Sequence, residues 1–114
     1  MSCVLYLSLY KDPDPSRHAE NIYCLKKNLA CKQFSRVVVF CENSIQCADL
    51  PRNESLVRVG HDGCPTFDRI FRHASENFPG RTIVVANADI HFDETLALLN
   101  DYDMTGKFFC LSTY

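Results

Sequence analysis

The stretch TIVVANA, residues 82–88, is the most strongly apolar run of the 114-residue chain and decides its fold class. A second run, RVVVFCE at residues 36–42, has the same character, because its β-branched side chains fill both faces of a strand. Strands of this kind are typical of a parallel sheet that helices cover on both sides. We therefore expect both runs in one such sheet, with residues 82–88 at its centre.

Strands and helices alternate along the rest of the chain. Further strands are predicted at residues 4–10, 56–59 and 107–111, and a short helical turn near residues 45–50. Apolar residues at helical spacing predict a first helix that begins at Asp14-Pro15 and continues through Ala19, Ile22, Leu25 and Leu29.

A second helix is predicted to start at the cap Thr66 and to stop at Pro79-Gly80. Its expected apolar stripe consists of Phe67, Ile70, Phe71, Ala74 and Phe78. Asp93 caps a third, short helix in this interpretation. The alternation predicts an α/β fold, a Rossmann-like three-layer sandwich with a mostly parallel central sheet.

Length and charge limit the classes of protein that fit. Residues 1–114 are expected to form one domain, because typical domains have about 100–150 residues. A net charge of −2, spread evenly, argues against nucleic acid and anionic membranes as partners. The first apolar run is too short for a signal peptide or a membrane span and follows no basic segment.

The cysteines indicate the compartment. The chain has seven, an odd number, with no CxxC pair and no zinc-ligand spacing. Cys3, Cys41 and Cys110 lie in apolar runs, where a thiol behaves as a small hydrophobic group. An oxidising compartment would allow such thiols to mispair, so we expect a cytoplasmic protein.

Polar residues follow each predicted strand, at the edge where parallel sheets bind ligands. After the first strand come Tyr10, Lys11, Asp12 and Pro13, after the second Glu42, and after the third Asp62, with Asp68 and Arg69 opening the next helix. Asp and Asn are also common in turns and caps, and for any single position that explanation is the simpler one.

Asn87 and Asp89 stand out among these residues, because they follow the most apolar strand. Strand alternation would point both side chains the same way. Together with two oxygens of a nucleoside diphosphate, they would supply hard ligands for Mg²⁺ or Mn²⁺, or they would contact a ribose. The GxGxxG, GxxxxGK[ST], GxSxG and HExxH motifs are absent from the sequence.

The strings VVANADIHFDETLALL (residues 84–99) and PTFDRIFRHASENFPGR (residues 65–81) resemble bacterial and viral glycosyltransferases of the GT-A type. In that group the central strand ends in an Asn/Asp-x-Asp motif, followed by Ile, an aromatic residue and Asp. The segments RHAENIYCLKKNLA (residues 17–30) and FFCLSTY (residues 108–114) are also similar to the group, so that the resemblance covers nearly the whole chain.

The resemblance implies a domain that binds a nucleoside-diphosphate sugar. Asp89 would hold Mn²⁺ or Mg²⁺ on the diphosphate, and Asn87 would touch the metal shell or the ribose. Residues 10–13 and Glu42 would face the base and ribose. Asp68 and Arg69 would approach the ribose or phosphate.

Two departures from that family qualify this expectation. Asn87 stands where many members have Asp, which removes one charge from the cation site. The sequence ends at Tyr114, where members continue with the acceptor site, so no catalytic base is assigned and a homodimer or a completing partner chain is expected.

The expected function is therefore a metal-dependent glycosyltransferase, or its donor-binding domain, acting on an unknown glycan or protein acceptor. The alternative is a non-catalytic binding or assembly module of the same fold. A receiver-like or flavodoxin-like protein fits least well. Asp12, Asp14 and Asp62 match the acidic positions of a receiver, but no Lys follows the fifth predicted strand.

We predict that all seven cysteines are free thiols. Titration of the unfolded protein without reductant should find seven reactive groups, because an odd count and core positions disfavour pairing. A stable shortfall of two or more would contradict this.

Overall fold

Four strands form one parallel sheet in the computed structural model, which describes residues 3–10, 12–42, 50–61 and 65–101. The strands are β1 (Cys3–Leu9), β2 (Phe34–Glu42), β3 (Leu56–His61) and β4 (Thr82–Asn87), in the spatial order β3-β2-β1-β4. Helix α1 (Pro15–Ala30) connects β1 to β2, and helix α2 (Phe67–Asn77) connects β3 to β4. A 3₁₀ helix, Glu94–Asp101, follows β4.

The centre of this sheet is formed by β1 and β2. Strand β1 pairs with β2 on one side and with β4 on the other, while β4 pairs only with β1 among the described strands. The prediction that residues 82–88 form the centre is therefore wrong for this part of the chain. Apolar side chains along a strand indicate that both of its faces are covered, but they do not indicate how many strands lie beside it.

Helices cover both faces of the sheet. Leu5 and Leu7 of β1 pack in one core with Leu25 of α1, whereas Val4 and Tyr6 pack in a second core with Ile70 of α2. Side chains alternate between the faces of a strand, so odd and even residues of β1 belong to different cores. This confirms the predicted α/β fold, a Rossmann-like three-layer sandwich with an all-parallel sheet.

Both helices begin as the sequence predicts. The Asp14 carboxylate accepts hydrogen bonds from Ser16 N at 3.0 Å and Ser16 Oγ at 2.8 Å, and Pro15 occupies the first helical position. These hydrogen bonds lower the pKa of Asp14. At the start of α2, Thr66 Oγ1 accepts from Arg69 N at 3.1 Å. Both caps satisfy backbone N–H groups that the first turn leaves unpaired.

The buried face of α2 differs from its predicted stripe. Ile70 and Ala74 are buried, but Phe67 is 70% exposed and Phe71 is 42% exposed, and their rings stack on each other. The sheet-facing side is turned toward His73, whose Nδ1 lies 2.7 Å from the hydroxyl of Tyr6. A fully buried tyrosine hydroxyl needs a hydrogen-bond partner, and this rotation of the helix supplies one.

Several predictions fall on residues outside the described ranges. These are the helical turn near residues 45–50 apart from Leu50, the strand at residues 107–111, and the positions Lys11 and Asp62. Cys3, Cys24, Cys31 and Cys41 lie within the described ranges and are in no disulfide. Asp93 caps the 3₁₀ helix as predicted, since its carboxylate accepts from Thr95 N at 2.9 Å. Neither α1 nor α2, nor the 3₁₀ helix, is long and apolar enough to cross a membrane.

The pair of Tyr6 and His73 predicts a pH-dependent stability. Burial and the nearby Arg69 lower the pKa of His73 below its ordinary value of 6.5, while burial raises the pKa of Tyr6 to about 12. The unfolded chain therefore binds a proton at His73 more readily than the folded chain does. The contribution of neutral His73 to the free energy of unfolding is fully present above about pH 6.5 and is lost as the pH falls through the pKa of the folded state.

We expect the free energy of unfolding of His73→Gln to change less with pH than that of the wild type, because glutamine can hydrogen-bond the Tyr6 hydroxyl without titrating. Denaturant unfolding between about pH 7.5 and about pH 5 measures the slope. The exposed His91, changed to Gln, is the matched control and should keep the wild-type slope. An unchanged slope in His73→Gln would show that other groups cause the pH dependence.

Candidate functional site

The carboxyl ends of all four strands meet at one edge of the sheet, because the strands are parallel. Asn87 at the end of β4 pairs with Ser8 of β1, and Ser8 pairs with Phe40 of β2. Strand β2 continues two residues further, to Glu42, which pairs with His61 of β3. Neighbouring strands lie about 4.8 Å apart, so Asn87 and His61 are separated by roughly 14 Å across the sheet.

The topology switches between β1 and β4. From β1 the chain moves through α1 to β2 and then to β3, before α2 returns it to β4 on the opposite side of β1. The two helices lie on opposite faces of the sheet. Open α/β sheets bind their ligands outside the carboxyl ends of the strands, at such a switch point. The loop after β1 and the residues after β4 border this position.

Strand alternation does not extend from Asn87 to Asp89. Strand β4 ends at Asn87, and a turn follows in which Ile90 N donates to the Asn87 carbonyl at 3.2 Å. By alternation with Ile83 and Val85, Asn87 belongs to the α2 side of the sheet. Asp89 lies beyond the strand and is exposed in the turn. The expectation that both side chains point the same way stays a prediction, because the alternation on which it rests stops at Asn87.

The loop after β1 has an exposed tyrosine ring and an aspartate carboxylate that is already hydrogen-bonded. Tyr10 is 54% exposed. Asp12 accepts a hydrogen bond from Asp14 N at 2.9 Å, which fixes the turn that leads to the α1 cap. Pro13 is exposed within the same turn. Among the described residues of this loop, Tyr10 is therefore the side chain that remains available to stack on a planar ligand.

Arg69 and His61 both contact the ring of Phe40. The Arg69 guanidinium lies over the ring, 5.4 Å from its centroid, and the His61 ring meets it edge-on at 6.0 Å. His61 Nδ1 is buried and has no hydrogen-bond partner among the described residues. Glu42, beside His61 at the end of β2, is half-buried. These residues form a polar group on the β2–β3 part of the edge.

Asp68 belongs to the surface of α2. Its carboxylate lies 2.8 Å from Arg72 one helical turn on, and both side chains are largely exposed. Exposed pairs of this kind contribute at most about 1 kcal/mol to stability. Of the two residues that open α2, Arg69 is therefore the better placed for a ligand at the sheet edge.

The predicted metal ligands do not form a complete metal centre. Within residues 3–10, 12–42, 50–61 and 65–101, no group of three His, Cys, Asp or Glu side chains is arranged to hold an ion. Asp89 offers one exposed carboxylate, and Asn87 adds one exposed amide at the end of β4. Such a donor set fits only a hydrated cation that arrives with oxygens of its own ligand, such as a diphosphate.

The segment after β4 is anchored by Asn28, a residue that was not predicted from the sequence. Asn28 of α1 is completely buried, donates from Nδ2 to the Ile90 carbonyl at 3.0 Å and accepts from Phe92 N at 2.8 Å. Its polarity kept it out of the predicted apolar face of α1. One signal was available, because Asn28 follows Leu25 at the helical spacing of three residues and thus shares its face.

Comparison with protein-family models, with curated proteins and with solved structures gives no match to this chain.

Proposed function

We propose that this chain binds a nucleoside-diphosphate sugar at the carboxyl edge of the sheet, as the donor-binding domain of a metal-dependent glycosyltransferase. The observation that carries the proposal is the topological switch point between β1 and β4, with Asp89 exposed directly beyond it. Switch points are where parallel α/β sheets bind nucleotides. The resemblance of residues 65–99 to GT-A enzymes supports the same class of ligand.

The available side chains suit the parts of such a ligand. Tyr10 would stack on the base, and Glu42 and Asn87 would bond ribose hydroxyls. Arg69 is the natural cation for the diphosphate, because a guanidinium matches phosphate oxygens and Phe40 already orients it from one side. Asp12 and Pro13 would shape the base pocket through the turn that they fix.

A divalent ion would come with the diphosphate and be held from the protein side by Asp89, with Asn87 in the outer shell. Mn²⁺ or Mg²⁺ there would neutralise the diphosphate as the sugar departs. The chain's own residues would bind and orient the donor: the exposed Asp89 carboxylate adds the negative charge that the cation requires, and Arg69 counters the remaining phosphate charge.

A second function, a non-catalytic binding or assembly module of the same fold, is favoured by one observation. The described ranges hold no three-residue cluster of metal-ligating side chains, and one carboxylate makes a weak cation site. A module that binds the nucleotide without transferring sugar would need no more than this. Transfer to an added acceptor, measured as released nucleoside diphosphate, separates the two functions.

The test of the binding proposal is a thermal-shift panel of nucleoside diphosphates and their sugars, with and without Mn²⁺. A ligand at about 100 to 1,000 times its dissociation constant should stabilise the fold by about 3–4 kcal/mol. A panel in which every nucleotide leaves the melting temperature unchanged would overturn the proposal.

Asp89→Ala should abolish the Mn²⁺-dependent part of nucleotide binding, measured by calorimetry, and should leave the Mn²⁺-independent part. The free energy of unfolding should change by no more than about 0.5 kcal/mol, because the side chain is exposed in a turn. Glu54→Ala is the matched control, since it removes an exposed carboxylate just before β3, at the opposite edge of the sheet. Unchanged metal-dependent binding in Asp89→Ala would remove the main support for the metal.

A further inference from the structure

The segment after β4, residues 88–93 and here called the exit loop, carries Asp89 and has no regular secondary structure. Irregular backbone must find hydrogen-bond partners outside helices and strands. The exit loop finds two of them in one side chain, that of Asn28 in the last two turns of α1. Asn28 lies 62 positions from Ile90 and 64 positions from Phe92 in sequence, so these hydrogen bonds tie two distant parts of the chain together.

The amide of Asn28 acts toward the exit loop as a neighbouring strand would. It donates to the carbonyl of residue 90 and accepts from the N–H of residue 92, at 3.0 Å and 2.8 Å. Only a side-chain amide offers a donor and an acceptor in one plane, so neither Asp nor Leu of the same shape can make both bonds. Asn28 is fully buried, and a buried amide needs the hydrogen-bond partners that the exit loop supplies.

Other contacts hold the exit loop against α1 and β2 without fixing its backbone direction. Phe92 packs edge-on against Phe34, with ring centroids 5.5 Å apart, and His91 packs against Tyr23 at 6.2 Å. Cys31 Sγ lies 3.7 Å from the Asp93 carbonyl. Ring contacts tolerate small rotations, whereas two amide hydrogen bonds on either side of residue 91 set the orientation of the peptide planes that follow Asp89.

We infer that Asn28 is the positioning residue for Asp89: by bonding Ile90 and Phe92 it holds the exit loop so that the Asp89 carboxylate stays at the switch point. The inference rests on the proposed function for what Asp89 binds, but the effect on the loop itself is independent of any ligand. Asn28 touches neither nucleotide nor cation in this role. It acts through the backbone of the exit loop.

The experiment compares Asn28→Leu with Asn21→Leu in the 114-residue chain. Asn21 is a second buried amide on the same helix and serves as the matched control, because the hydrogen bonds to Ile90 and Phe92 come from Asn28. Hydrogen exchange of the Phe92 amide should be about tenfold or more faster in Asn28→Leu, because the acceptor of that N–H is gone. It should be unchanged in Asn21→Leu and in Asp89→Ala.

Nucleotide binding is the second readout. Asn28→Leu should lose the Mn²⁺-dependent increment of affinity as fully as Asp89→Ala does, although the carboxylate is intact, and should keep the Mn²⁺-independent affinity. The double variant should bind no more weakly than either single one, because both changes remove the same interaction. The inference would be overturned if the losses of affinity added up in the double variant. It would also be overturned if a variant with an exchanging Phe92 amide kept the full Mn²⁺-dependent increase in affinity.

Asn28→Asp keeps the test decisive if the leucine variant does not fold. The carboxylate preserves the shape and the acceptor for Phe92 N, but it cannot donate to the Ile90 carbonyl when ionised. We expect an intermediate loss of the metal increment. Wild-type protein without metal-dependent nucleotide binding would refute the proposed function alone, and Phe92 protection that is the same in wild type and both Asn28 variants would refute the positioning role alone.

Discussion

The structure depends on the burial of β1 on both of its faces. Val4, Leu5 and Tyr6 are all completely inaccessible to solvent, and the strand is paired along both edges. A strand in this position has no free backbone group and no exposed side chain through most of its length, so polar chemistry is displaced to the point where it ends. Tyr10, the first residue beyond β1, is more than half exposed. The position of the candidate site follows from this constraint, since every ligand-binding group has to reach it from a strand end or a helix start.

The two cores that enclose β1 differ in how they specify structure. The α1 side is built mainly from Leu, Val and Cys side chains together with Phe34, and the aliphatic ones pack by volume and tolerate exchange among similar shapes. The α2 side contains Tyr6 and Phe40, whose rings each meet the His73 ring at 74°, and the Tyr6 hydroxyl is hydrogen-bonded to the His73 imidazole. A buried hydroxyl without a partner would cost about 1–3 kcal/mol, so this bond fixes the rotation of α2. That rotation leaves Phe67 outside and brings Arg69 over Phe40.

The sequence was sufficient for the fold because the strands and caps depend on local composition. Asp14-Pro15 and Thr66 start their helices in the structure as predicted, since capping needs only residues within three positions. The spatial order of the strands was not accessible in the same way, because RVVVF and TIVVA are both strongly apolar and, of these two, only RVVVF lies between two other described strands. The buried face of α2 was misjudged for a related reason. The predicted stripe included only apolar residues. The rotation of α2 instead depends on His73, which is hydrogen-bonded to Tyr6, 67 positions away in sequence.

The candidate site shows the same division between local and distant causes. The residues of the Asn87-x-Asp89 motif were correctly expected after β4, but their relative direction was inferred from strand alternation, which requires the strand to continue. Here it ends at Asn87, because the Ile90 N–H closes a turn onto the Asn87 carbonyl. The Ile90 carbonyl and the Phe92 N–H are then hydrogen-bonded to the side chain of Asn28 and not to a neighbouring strand. The backbone that follows Asp89 is thus held by a helix that is distant from it in sequence. A ligand at the switch point between β1 and β4 would have to reach both Asn87, at the end of β4, and Asp89, in the turn beyond it. An extended molecule with separate polar groups, such as a nucleoside diphosphate joined to a sugar, can satisfy both, whereas a free cation would find only one carboxylate.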